Sequence, residues 1–190
     1  MKDTSQRLLD EAERLFSEHG IESVGVQDIV EAAGLTKPSL YHHWGSRAGL
    51  VGALLARGFG WLESALNEAP PYRGSLPDTL KAQWDAWFQV VNARPAFFRI
   101  AFSLSLLPKG NETADLVRPH LEALQTRMSA LFLNATPVYG NMRGRENLLA
   151  STWLALLQHW TRVKLDGWSP TGTFPERDEL LRPFLYGLFS

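Results

Sequence analysis

Residues 26–47 read Val26-Gln27-Asp28-Ile29-Val30-Glu31-Ala32-Ala33-Gly34-Leu35-Thr36-Lys37-Pro38-Ser39-Leu40-Tyr41-His42-His43-Trp44-Gly45-Ser46-Arg47. Two short helical patterns flank Gly34-Leu35-Thr36. In the first, Val26–Ala33, the residues Val26, Ile29, Val30 and Ala33 recur at the three- and four-residue spacing of one helix face. Gly34 supplies its stop. Thr36 is a hydroxyl N-cap for the second, Lys37–Trp44. Pro38 stands in its first turn, where a missing N–H costs nothing. Leu40 and Trp44, four residues apart, face inward, and Gly45 ends the helix. Two short helices around a tight glycine turn, with polar and basic side chains projecting from the second, have the spacing of a helix-turn-helix. The projecting set is Thr36, Lys37, Ser39, His42 and His43, with the Tyr41 hydroxyl placed to reach a phosphate.

Outward from this core the chain reads as helical almost throughout. Leu8, Leu9, Ala12, Leu15 and Phe16 form the apolar stripe of a preceding helix, with Asp3 and Gln6 as a capping box and His19-Gly20 as its end. Gly25 precedes the second helix, and Ser46 caps a fourth that runs to about Glu68. Residues 69–77 are a loop by their Pro and Gly content. Further helices are predicted over Asp78–Ala93, Pro95–Leu107, Glu112–Leu133 (bent at Pro119) and Gly144–Gly167. A ninth is capped by Thr173, with Pro175 in its first turn, Glu176 at the capping-box position and a kink at Pro183. The fold is therefore predicted to be all-α with about nine helices. Residues 1–50 form a helix-turn-helix domain, 46–68 a connector, and 70–190 a second helical domain.

Composition narrows the function. The 190 residues include no cysteine, which excludes disulfides, thiolate catalysis and Cys-ligated metal. No Gly-x-Ser-x-Gly elbow, phosphate loop, dinucleotide fingerprint or His-Glu-x-x-His occurs, so no catalytic role, cofactor or metal site is expected. Tandem His42-His43 does not suggest a metal site, because helix neighbours do not face each other. The amino terminus lacks the apolar run of a signal peptide, and Asn147–Thr161 is too short and mixed to span a bilayer. A cytoplasmic protein without membrane association is expected. Lys+Arg number 19 against 20 Asp+Glu, a net charge of −1, so bulk electrostatics would not carry nucleic-acid binding. Residues 1–50 hold 5 Lys+Arg against 8 Asp+Glu. Any footprint must be local.

The runs Leu15–Gly20, Val26–Lys37 and Leu40–Arg47 resemble the DNA-binding domain of the TetR family of transcriptional regulators, and the likeness covers about residues 4–60. The resemblance implies a three-helix reading head, a connecting fourth helix, and a helical C-terminal domain that dimerises and binds a small effector. Carried over by position, it makes Gln27 a contact at the start of the second helix. Thr36, Lys37 and Ser39 become contacts at the start of the recognition helix. Tyr41, His42 and His43 become phosphate or base contacts, and Ser46 and Arg47 grip a phosphate at the start of the fourth helix. Gly25 departs from the usual hydroxyl cap, Trp44 from a usual Phe, and Ala48 from a common acid; none removes a base-reading side chain. The implied partners are a palindromic double-stranded operator, a small effector and a second copy of the chain. The implied role is a ligand-responsive homodimeric repressor. The alternative is a helical ligand-binding or scaffolding homolog that does not bind DNA; Lys37, Tyr41, His42, His43 and Arg47 speak against it.

Beyond residue 70 the likeness is one of layout. An effector cavity would be apolar with few polar groups. Its candidate walls are Trp84, Phe88, Phe102 and Trp153, and its candidate polar groups Asn92, Arg127, Gln158 and His159. The last two helices carry apolar residues on several faces and call for burial all round. Leu149, Trp153, Leu156, Trp160, Leu181, Phe184, Leu185 and Leu188 are the expected contacts of a two-fold four-helix interface. Gly58-Phe59-Gly60 either packs closely or forms a soft point in the fourth helix.

Overall fold

The computed structural model describes residues 4–167 and 172–189, with side chains of the last helix as far as Leu185. Asp3 lies outside the described residues, as does the side chain of Leu188. Nine α-helices occur among the described residues: α1 Thr4–His19, α2 Val26–Ala32, α3 Lys37–Trp44, α4 Arg47–Glu68, α5 Leu76–Ala93, α6 Pro95–Ser105, α7 Glu112–Ala135, α8 Glu146–Asp166 and α9 Arg177–Phe189.

Local chemistry explains where these boundaries depart from expectation. Helix α5 begins two residues early because Ser75 caps it: the Ser75 hydroxyl donates to Asp78 at 2.6 Å, and the Thr79 hydroxyl donates to the Ser75 carbonyl at 2.8 Å. Helix α7 runs unbroken past Pro119 and starts on Asn111, whose Oδ1 accepts the N–H groups of Thr113 and Ala114 at 3.0 and 3.1 Å. Helix α9 starts at Arg177, not at Thr173. The Glu176 carbonyl takes its first N–H groups, from Glu179 and Leu180, both at 3.1 Å. Arg177 and Asp178 then pair with Asp85 and Lys81 on α5.

By packing, the chain divides into Met1–Trp61 with Arg94–His120, and Leu62–Ala93 with Leu121–Ser190. Packing thus groups Arg94–His120 with the amino-terminal helices, where the sequence suggests domains over 1–50 and 70–190. Helix α6 packs on α1 in the first unit. That unit buries Leu8, Ala12 and Phe16 of α1, Ile29 of α2, Leu40 of α3, Leu50, Leu54 and Leu55 of α4, and Phe97, Ile100 and Leu104 of α6. A methyl group built on Gly58 would fall within the Phe97 ring, whereas one on Gly60 would meet nothing within 4 Å. Close packing accounts for Gly58; Gly60 is exposed and free of neighbours.

The second unit is aromatic. Trp87 is buried, and its indole N–H donates to the Thr161 hydroxyl at 2.8 Å. Trp84 stacks on Phe88 at 4.5 Å between ring centroids and lies 6.3 Å from Trp153, which lies 5.4 Å from Phe184. Of the expected interface residues, Trp153 and Leu181 are fully buried within one chain and Leu149 nearly so. Leu156, Trp160, Phe184 and Leu185 are half-buried. The outermost large apolar side chain of α8 is Leu148, 62% exposed.

Candidate nucleic-acid interface

Three carbonyl contacts by arginines hold the first three helices in register. Gly34, at φ 61°, adopts the left-handed conformation that lets α2 close on itself, with the Leu35 N–H reaching the Val30 carbonyl at 2.8 Å. Arg7 of α1 donates to the Ala33 carbonyl at this turn. Arg47, at the start of α4, donates to the carbonyls of Ile21 and Val24 (the latter at 3.2 Å), and its guanidinium lies 5.4 Å from the Phe16 ring. Asp28 satisfies the Gly25 N–H at 2.7 Å, supplying from the third position of α2 what a glycine cap lacks.

Against this frame α3 presents its outer face. Leu40 is fully buried and Tyr41 is 48% exposed. Lys37, His42 and His43 are exposed, and no hydrogen bond or ion pair occupies them among the described residues. The Thr36 hydroxyl lies 3.2 Å from that of Ser39 instead of on a backbone N–H, so the two hydroxyls form one polar spot at the start of α3. Gln27 is exposed on α2 and donates to Glu31. The Ser46 oxygen accepts the Gly49 N–H at 2.9 Å, capping α4 and keeping its own proton free to donate. The structure thus brings together Thr36, Lys37, Ser39, Tyr41, His42 and His43 on one helix, with Gln27 and Ser46 on the helices before and after.

Arg47 turns toward the backbone. An arginine at a helix N-terminus reads from sequence as a phosphate grip. Here its donors face the carbonyls that end the α1–α2 turn, so it braces the head instead of extending from it. Arg47→Ala should cost about 1–2 kcal/mol of stability, because it leaves part-buried carbonyls unpaired. It should leave the salt dependence of DNA binding unchanged, as chemical denaturation and a salt titration would show.

Sequence reasoning also missed Arg57. Its two terminal nitrogens pair with Asp10 at 2.8 Å and Glu13 at 2.5 Å, tying α4 to α1. A single charge within the apolar run Leu54–Leu62 was the available signal, since a part-buried charge requires partners.

The expected effector residues are distributed over both units. Phe102 belongs to the first unit, where it lies 6.1 Å from Phe98. Asn92 and His159 are exposed and Gln158 is half-buried. Arg127 is occupied by Asn67 Oδ1 at 2.6 Å and the Leu66 carbonyl at 2.7 Å. Trp84, Phe88 and Trp153 do cluster. Two polar atoms of nearly or fully buried side chains in that unit lack a hydrogen-bond partner: Gln83 Oε1 and Trp153 Nε1.

Residues 8–54 match the model of the family described as bacterial regulatory proteins, tetR family. The chain is 48% identical over 52 residues to the HTH-type transcriptional repressor KstR2 of Rhodococcus jostii, covering 27% of this chain and 25% of that protein. It is 40% identical over 84 residues to KstR2 of Mycobacterium tuberculosis, covering 44% and 42%. It is 29% identical over 96 residues to the transcriptional activator FasR of Mycolicibacterium smegmatis, covering 50% and 44%. The matched stretches thus span between a quarter and less than half of these relatives' length. Among solved structures, a TetR-like transcriptional regulator from Rhodococcus sp. RHA1 aligns with TM-score 0.76 at 19% identity, over 97% of this chain and 95% of that one. The TetR family regulator PfmR from Thermus thermophilus aligns with TM-score 0.65 at 23% identity, over 100% and 97%. These structural likenesses concern the fold. Among the described residues no helix is long and apolar enough to cross a membrane.

Proposed function

We propose that this chain is a TetR-family transcriptional regulator, a cytoplasmic, homodimeric repressor which binds a palindromic operator and leaves it when a small effector binds. The observation that carries the reading is the outer face of α3. Lys37, Tyr41, His42 and His43 stand exposed on a helix whose opposite side is locked by Leu40, and Arg7 and Arg47 brace the turns beside it. Side chains set on a braced helix can meet base edges in a major groove in fixed register. Thr36 and Ser39 read or position at the start of the helix, Lys37 neutralises a phosphate, and the Tyr41 and Ser46 hydroxyls donate to phosphate oxygens. Two such heads about 34–36 Å apart match successive major-groove faces, which is why the function calls for a second copy. Leu148, Leu156, Trp160, Phe184 and Leu185 retain surface for that partner.

The effector site belongs to the aromatic second unit. A buried donor or acceptor without a partner is rare in a native fold and costs about 1–3 kcal/mol. The free Trp153 N–H and the free Gln83 oxygen favour an uncharged, largely apolar or aromatic effector with one acceptor and one donor. A thermal-shift screen of such compounds, followed by operator release with any stabilising compound, tests this part.

DNA binding is tested by fluorescence anisotropy with the DNA upstream of the protein's own gene. Selective binding at moderate salt is expected; absence of any selective binding would favour the homolog that does not bind DNA. Lys37→Ala should weaken binding to all sequences alike, leave stability unchanged, and reduce the salt slope by about 1 for each head.

A further inference from the structure

We propose that the reading head is proton-gated: protonated His42 and His43 supply most of the positive charge with which it meets phosphate, so operator affinity rises as pH falls. The proposal rests on the DNA-binding reading above. It follows from where the other cations of the head are engaged. On α1, Arg7 is bonded to the Ala33 carbonyl, and Arg14 is paired with Glu11 at 2.9 Å and Glu18 at 2.8 Å. At the start of α4, Arg47 is spent on the Ile21 and Val24 carbonyls, and further along Arg57 is spent on Asp10 and Glu13. Among the described residues 4–61 this leaves Lys37 as the permanent cation without an internal partner. One lysine per head is a small charge for a surface that must attract a polyanion, and the surrounding acids make it smaller.

The two histidines fill that deficit conditionally. Both are exposed, and both lie in the last turn of α3, where the negative end of the helix dipole favours a cation. Their rings meet edge-on with centroids 5.3 Å apart. Two imidazolium charges at that spacing repel, and a phosphate beside them offsets the repulsion. The charged groups on the elements packed against α3 do not compete for this role. The acids of α1 are held by Arg14 and Arg57. On α2, Asp28 accepts the Gly25 N–H and Glu31 accepts from Gln27, and Arg47 of α4 faces carbonyls. No ion pair joins either imidazole to a carboxylate among the described residues. Histidine is the side chain whose charge ordinarily changes between pH 5 and 8. A group that binds its proton more tightly in the complex strengthens the complex as pH falls.

His19 and His120 separate from this pair. His19 stands at the far end of α1, 3.8 Å from Glu18. His120 is stacked on Phe59 at 4.4 Å, and burial holds its imidazole below the usual histidine range. Protonating it would disturb packing and weaken binding, the opposite sign.

The experiment measures operator affinity of the full chain by anisotropy at pH 8.0, 7.0, 6.0 and 5.5 at constant ionic strength. The proteins are wild type, His42→Gln/His43→Gln and His19→Gln. Wild type and His19→Gln should gain about 10- to 100-fold between pH 8.0 and 5.5. The wild-type salt slope should steepen by about 0.9 for each added phosphate contact. The double variant should stay flat across the four pH values, whatever affinity it retains at pH 8.0. Equal wild-type affinity at pH 8.0 and 5.5, or a rise that persists in the double variant, overturns the proposal while leaving the DNA-binding reading intact. Absence of selective binding at every pH overturns both.

Discussion

Gly58→Ala should destabilise the protein by about 3 kcal/mol, whereas Gly60→Ala, two residues on in the same helix, should stabilise it by up to about 1 kcal/mol. At Gly58 the new methyl would occupy the space of the Phe97 ring. That ring cannot move aside: it is buried and held edge-on by Phe59 at 5.1 Å and by Phe98 at 4.9 Å. Relief requires α4 and α6 to separate, which exposes the apolar surface that joins them. At Gly60 the methyl meets no neighbour, and alanine simply lowers the conformational entropy that a helical glycine loses on folding. Urea denaturation of both variants measures the two effects directly; shifts of the same sign would refute the packing account. The pair also isolates the soft-point idea. Only Gly60→Ala stiffens α4 without damaging its packing. Operator release by an effector that is unchanged in Gly60→Ala would remove Gly60 as a pivot.

The contrast between these glycines shows what a sequence can and cannot reveal. Four glycines in α4 look equivalent on paper, and which of them is pressed against a ring depends on α6, some forty residues away. The helix-turn-helix is legible because its information is local. Gly34 must take a positive φ, Leu40 must face inward, and both follow from spacing of three and four. The boundaries of α3 and α4 were legible for the same reason. The start of α9 was not: Thr173 and Pro175 satisfy the capping rules, but the ion pairs of Arg177 and Asp178 with α5 select a later start. Arg47 shows the same limit at the candidate site. Its position predicts a phosphate contact, and only the path of the α1–α2 turn puts carbonyls in front of it. The spacing of Trp153 suits both a cavity wall and a subunit interface; the structure buries it within one chain, a distinction that helical periodicity does not carry.

Arg57→Met should lower stability by about 2–4 kcal/mol, and the loss should come from what the arginine leaves behind more than from the pair itself. Arg57 is largely buried, 14% exposed at the side chain, as is Glu13. Its guanidinium also lies 5.2 Å from the Trp61 ring, which Arg94 faces at 4.3 Å. Methionine preserves much of the length and the apolar stem, but it strands two carboxylates on adjacent turns of α1 beside an apolar helix. Gln6 then remains for Asp10, at 2.8 Å, and Glu13 has no replacement. Breaking a buried pair from one side costs far more than removing it whole. The triple variant Asp10→Asn/Glu13→Gln/Arg57→Met should therefore recover most of the deficit, despite having lost every charge of the network. Thermal melts of the single and triple variants decide it: a triple variant no more stable than Arg57→Met would mean that the charges themselves hold α1 to α4. In either case the consequence for function is indirect. Helix α1 carries Arg7, and Arg7 steadies the turn from which α3 projects. Below the melting transition, Arg57→Met should lower operator affinity without changing its salt slope, because no phosphate contact is lost.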